Sequence, residues 1–230
     1  MRPQNELIAL ALWTLVSLSL LTPGLMYLVL ELSPTTSVNT QLITNIVISL
    51  CIFLLPTLFF SSGTSAWHRL FAPLPPKYRQ PKYLLKVVGL SLLTLFIAHL
   101  LYTGIVDLAQ IFGYRLHDAI EMHLQELISS GAASRPLLFI SMAIVPAITE
   151  EFFFRGILQK VLHRHLPQYH RLPLLLTAGI FALFHGTLVG FPSRMLLGMM
   201  LGYLAKDSRS LRLPILFHLL NNTLALLSIL

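Results

Sequence analysis

The sequence predicts an all-α, polytopic transmembrane helix bundle, and three observations carry that expectation: scarce charge, long apolar blocks, and basic residues confined to the connections. Of 230 residues, 55% are apolar and only 11% are charged, against roughly 25% charged in an ordinary soluble domain. Charge that sparse cannot cover the surface of a soluble globule of this size, so lipid must solvate much of it. Most of the apolar blocks approach or exceed the ~20 residues that cross a bilayer core, the block at 195–205 being too short unless Phe191 and its neighbours join it. A net charge of +7 also marks many nucleic-acid binders. Here, however, the basic residues lie in short connections between apolar blocks, which is the orientation signal of a membrane protein. The partner this composition implies is the lipid bilayer, with no nucleic acid.

The blocks cover residues 7–32, 42–60, 84–112, 137–158, 174–189, 195–205 and 213–230. They give about seven membrane-spanning helices, within a range of six to eight, and no internal repeat. Residues 1–136 form N-terminal helices and surface loops, and 137–230 a core with most of the chemistry, in one continuous membrane domain. Arg2 precedes an apolar run that ends in no small-residue cleavage site, so the run reads as a retained first span. Residues 67–82 hold Pro73, Pro75, Pro76 and Pro81 with Arg69, Lys77, Arg79 and Lys82, and read as a surface loop denied a regular helix by its prolines. Leu116, Ile120, Leu124 and Leu127 recur at helical spacing among Asp118, Glu121 and Glu126, which predicts a short interfacial helix over 114–130. Cys51, the single cysteine, reads as a small buried hydrophobe.

Lysine and arginine set the orientation. Arg2, the 67–86 segment, Lys160 with Arg164 and Arg171, and Lys206 with Arg209 and Arg212 occupy alternate connections, whereas the others hold only Arg115, Arg135 and Arg194. The positive-inside rule then places the N-terminus in the cytoplasm, with a bacterial inner or plasma membrane as the expected location. Seven spans would put the C-terminus outside.

An ionisable side chain inside a span costs on the order of 3 kcal/mol on insertion scales and needs a reason. The fourth block contains Glu150, Glu151 and Arg155, the fifth His185, and the seventh His218 and Asn222. Glu151 and Arg155 are i,i+4 on one helix face and can pair, while Glu150 points about 100° away, free for chemistry. His218 and Asn222 also share a face. Pro146 removes a backbone hydrogen bond near Glu150 and predicts a kink, and a broken helix at membrane depth belongs where it lines protein or a wet cavity. Glu150, His185 and His218 lie about eight, eleven and five residues from the cytoplasmic ends of their blocks, all in or near one half of the bilayer. Each group alone has a plain structural reading: a clamp, a packing histidine, a cap. Together, at matched depth on three apolar helices, they read as one site. His99 and Asp107 lack matched partners and read as structural. His163, His165 and His170 read as surface residues of a basic loop.

Those residues resemble the motifs of the CAAX-protease and bacteriocin-processing (CPBP, or Abi) family of intramembrane endopeptidases. EExxxR is met by Glu150, Glu151 and Arg155, FxxxH by Phe181 and His185, and HxxxN by His218 and Asn222. The resemblance covers 137–230 and implies cleavage of a peptide or membrane-protein substrate, prenylated or carrying a leader. It implies that Glu150 and His185 activate a water, that His218 and Asn222 stabilise the oxyanion, and that Glu151, held by Arg155, supports them. No cofactor is required in that reading. The alternative is a zinc ion on Glu150, His185 and His218, although no HExxH helix demands it. A non-proteolytic membrane scaffold or immunity protein on the same fold is the rival class. A proton-coupled transporter is weaker, since it would call for inverted repeats.

Overall fold

A computed structural model of the chain describes residues 3–18, 37–116 and 133–229, with a few isolated positions between 122 and 131. The described residues are helical, with no strand among them. In chain order they form α1 (Pro3–Val16), α2 (Val38–Phe59), α3 (Ser61–Phe71), α4 (Pro81–Ile111), α5 (Arg135–His165), α6 (Leu172–Leu183), α7 (Phe191–Ser208) and α8 (Arg212–Leu227). Local chemistry explains several starts. Ser37 accepts from Thr40 N–H at the head of α2, the usual N-cap bond. Prolines occupy the first turn of α4, α5, α6 and α7, where their missing N–H costs nothing.

Each expected apolar block therefore holds a helix, with three corrections. Residues 67–71 are not loop but the end of α3; the prolines break the chain only after Phe71, and Pro76–Arg79 forms a 3-10 turn. α5 continues to His165, so His163 and His165 are helical rather than in a loop. Cys51 is exposed on α2, not buried. The interfacial helix expected over 114–130 falls largely outside the described residues, as does the second half of the first block.

Among the described residues three helices, α2, α4 and α5, are long and apolar enough to cross a membrane. α6, α7 and α8 have 12, 18 and 16 residues. At 1.5 Å per residue they reach only about 18–27 Å, short of a hydrocarbon core near 30 Å. The most apolar windows of α5 and α4 differ sharply: 50% buried against 11%. α5 is thus the hub, packed against α2, α3 and α8, while one side of α4 lies along α7.

α5 is not uniformly α-helical. Ile140–Ile144 and Phe152–Leu158 are π turns, and between them Val145–Glu151 is regular. The first lies directly ahead of Pro146, whose ring would collide with the carbonyl four residues back. A five-residue bond, Val145 N–H to Ile140 O, lets the ladder step around that clash. The kink expected at Pro146 is realised as this change of register.

Lipid is as apolar as leucine, so close packing and polar contacts must hold such helices together. Phe153, Phe154, Phe181, Leu201 and Phe217 share one core cluster. α6 and α7 pack tightly because Gly198 has no side chain: a Cβ there would stand 3.1 Å from Ala178 Cα and 3.2 Å from Phe181 Cδ1.

Candidate active site

The regular stretch between the two π turns of α5 carries both glutamates. Glu151 is fully buried; its Oε1 accepts from Arg155 Nη1 at 2.7 Å and from His218 Nδ1 at 2.9 Å. Arg155 is also buried and donates Nη2 to Gly198 O at 3.0 Å. Its guanidinium lies over the Phe181 ring, 4.7 Å from the centroid. The i,i+4 pair expected from spacing is present, and it does more than expected: Glu151 orients His218 as well as neutralising Arg155.

His218 sits on α8, 2% exposed. A carboxylate only accepts, so the bond to Glu151 places a proton on Nδ1 and leaves the chemistry to Nε2. That nitrogen stands 3.9 Å from Glu150 Oε2. The separation exceeds a hydrogen bond and lies within the span of one bridging water. Glu150 Oε2 is a buried oxygen with no hydrogen-bond partner among the described residues. Buried polar atoms are normally satisfied, so an unsatisfied carboxylate oxygen needs an explanation.

His185 lies two residues beyond the end of α6, in a turn rather than on the helix where it was expected. Gly186 follows at φ 67°, a left-handed conformation that ends helices and suits glycine. The reversal folds the imidazole back so that Nδ1 donates to Phe181 O at 2.9 Å, again directing reactivity to Nε2. Phe181 brings the two histidines together: its ring centroid is 4.8 Å from that of His185 and 5.7 Å from that of His218. Asn222, one turn beyond His218 on α8, accepts on Oδ1 from Asn221 Nδ2 at 3.1 Å, which reserves its own Nδ2 as a donor.

The placements along the helices differ from the block-based depths. Because α5 runs from 135 to 165, Glu150 sits at its midpoint, fifteen residues from either end. His99 and Asp107 are exposed on α4, apart from the cluster. As placed, no three His, Cys, Asp or Glu side chains among the described residues could share a metal ion. Glu150, His185 and His218, as placed, are not grouped as a shared zinc ion would require.

The motifs did not flag Gln159 or Gly202. Gln159 is i,i+4 from Arg155 and donates to Gly202 O at 3.1 Å, repeating one turn on the Arg155–Gly198 contact. The pattern that announces both is Gly198-x-x-x-Gly202 on α7, a small-residue repeat that lets helix backbones approach.

Fold and site together define an integral membrane α-helical protein in which carboxylates and an arginine on the central helix meet a buried histidine of α8. Residues 132–224 match a family model described as type II CAAX prenyl endopeptidase Rce1-like, so the resemblance read from the three motifs holds over that stretch. No curated protein and no solved structure matches the chain.

Proposed function

We propose that the protein is an intramembrane endopeptidase in which Glu150 acts as general base. The observation that carries the reading is Glu150 Oε2, buried without a hydrogen-bond partner among the described residues and facing His218 Nε2 at 3.9 Å. Glu150, assisted by His185, takes a proton from a water as the water oxygen attacks the peptide carbonyl carbon. The oxyanion that forms accepts from Asn222 Nδ2–H and from His218 Nε2 in its protonated form. These donors are worth most in a water-restricted site. When the intermediate collapses, the C–N bond breaks and Glu150 returns its proton to the departing amine.

Glu151 and Arg155 act before the chemistry. The Glu151 carboxylate and the Arg155 guanidinium pair at 2.7 Å, a condition for holding ionised groups in a dry interior. The substrate class follows the family match: a membrane-associated peptide, with a prenylated C-terminal CAAX sequence as the first to assay. The mechanism uses no metal, so activity should survive exhaustive chelation; loss on chelation with recovery on zinc alone would contradict it. Glu150→Gln keeps shape and removes the base. It should abolish cleavage of a farnesylated CAAX peptide by the purified protein while leaving yield and thermal midpoint unchanged. Wild-type turnover in that variant would end the proposal.

A further inference from the structure

The site helix is gripped from outside the motif residues. Near the end of α3, Arg69 donates Nη1 to Arg155 O at 2.9 Å and Nη2 to Ala205 O at 2.7 Å. Arg155 O lies in the stretch where the second π turn hands over to α geometry. Gln159 N–H reaches five residues back, to Phe154 O. A helix passing from five-residue to four-residue bonds leaves one carbonyl without an internal donor. A planar guanidinium can serve two such acceptors at once, which an ammonium cannot do from a fixed fork.

The surroundings are built around this contact. A Cβ at Gly156 would stand 2.6 Å from Ala66 Cβ, so α3 lies closer to the π turn than any side chain at 156 would permit. Trp67 packs on Phe152 with ring centroids 4.6 Å apart. The end of α3 is anchored in turn: Leu211 N–H and Ser210 Oγ donate to Arg69 O at 3.3 and 3.2 Å, and Arg212 donates to Leu70 O and Phe71 O.

We infer that Arg69 is a positioning residue for the site: it fixes the backbone of Arg155, whose guanidinium holds Glu151, which orients the imidazole of His218. The chain of contacts is continuous, 2.9 Å to Arg155 O, 2.7 Å from Arg155 to Glu151 and 2.9 Å from Glu151 to His218. Its kinetic consequence rests on the hydrolytic reading; its structural consequence does not.

The test uses the full chain in detergent, with Arg69→Met, which keeps the apolar stem, Arg69→Lys, which keeps the charge, and Gly156→Ala, which pushes α3 off the π turn without removing a donor. Amide exchange by mass spectrometry over 152–160 should quicken about tenfold or more in Arg69→Met and Gly156→Ala, with α2 and α4 unchanged. With a farnesylated CAAX peptide, kcat should fall about tenfold or more at constant KM, as expected when reacting groups are misplaced but substrate binding is not. Arg69→Lys should fall between wild type and Arg69→Met. Unchanged exchange over 152–160 overturns the inference whatever the activity, as does equal loosening of every helix. Faster exchange with an unchanged kcat refutes the link from Arg69 to the site. If the wild type cleaves no peptide, the hydrolytic reading falls, and the exchange pattern alone decides the role of Arg69.

Discussion

At the scale of single residues, the site is organised by how Glu151 is held. Its Oε1 is shared between Arg155 and His218, while its Oε2, like Glu150 Oε2, is buried without a hydrogen-bond partner among the described residues. What separates the two is that Glu151 is paired with a guanidinium, and the base proposed above is therefore Glu150. The two adjacent glutamates thus differ through helix geometry, since consecutive residues point about 100° apart. Removing Arg155 strands a carboxylate in a buried setting. Breaking a buried pair by deleting one partner costs about 3–5 kcal/mol, a large share of the ordinary margin of stability. Arg155→Ala should therefore lower the yield of folded protein and its thermal midpoint in detergent, in contrast to Glu150→Gln. Equal yields from the two variants would show that Arg155 holds nothing the fold needs. The Glu151–Arg155 pair was legible from spacing alone. The Glu151–His218 bond was not, because it joins residues 67 apart and depends on how α8 is seated against α5.

At the scale of elements, hydropathy located the helices but not their irregularities. Pro146 signalled a distortion; nothing comparable marks the π turn at Phe152–Leu158, since phenylalanine, glycine and leucine fit either ladder. α3 was obscured because its apolar face is short and the prolines that follow dominate the reading of 67–82. Close approach is the rule where α7 meets its neighbours. In Gly198→Ala the new methyl meets the backbone of Ala178, which cannot yield as a flexible side chain would, so α6 and α7 must shift. Overpacking of this kind costs about 1–3 kcal/mol, and the shift also draws Gly198 O from Arg155. Gly89→Ala, with nothing within 4 Å of the added carbon, is the control and should be neutral or mildly stabilising. A second element-level contact joins the 3-10 turn and α4 to the end of α7. Lys77 Nζ, Tyr78 Oη and Tyr83 Oη all donate to Asp207, at 2.5, 2.6 and 2.6 Å. Burial pushes the Asp207 carboxyl up, but these bonds outweigh it and bring it from 3.8 down to about 2. A folded value below the unfolded one means the stabilisation is complete above about pH 4 and is lost as pH falls through about 2. The thermal midpoints of wild type and Asp207→Asn should differ by a constant amount from pH 5 to 7 and converge below pH 3. A gap that persists at pH 2 would show that the cluster acts by packing instead.

At the scale of the whole molecule, hydrogen bonds gather the basic connections at one end. Lys77 reaches Asp207 at the end of α7, Arg212 reaches Leu70 O and Phe71 O, and Lys206 donates to His170 O in the α5–α6 connection. The start of α1 joins them through Glu6, paired with Arg164 at 2.7 Å. At the other end, Ser134 N–H donates to Asn39 Oδ1, linking the heads of α5 and α2. The charge asymmetry seen in sequence is therefore an asymmetry of the folded molecule, and it is what the translocation machinery reads. The face bearing Lys77, Arg79 and Arg209 should accordingly be cytoplasmic and the Arg194 connection external. Cys51 is the single cysteine, so a Cys51→Ser background admits one reporter at a time. Arg79→Cys and Arg209→Cys should resist a membrane-impermeant maleimide in intact cells and react once the membrane is opened, whereas Leu188→Cys, 86% exposed between α6 and α7, should react from outside. Labelling of Arg79→Cys and Arg209→Cys in intact cells, with protection of Leu188→Cys, would invert the molecule and carry the site to substrates presented from the other face.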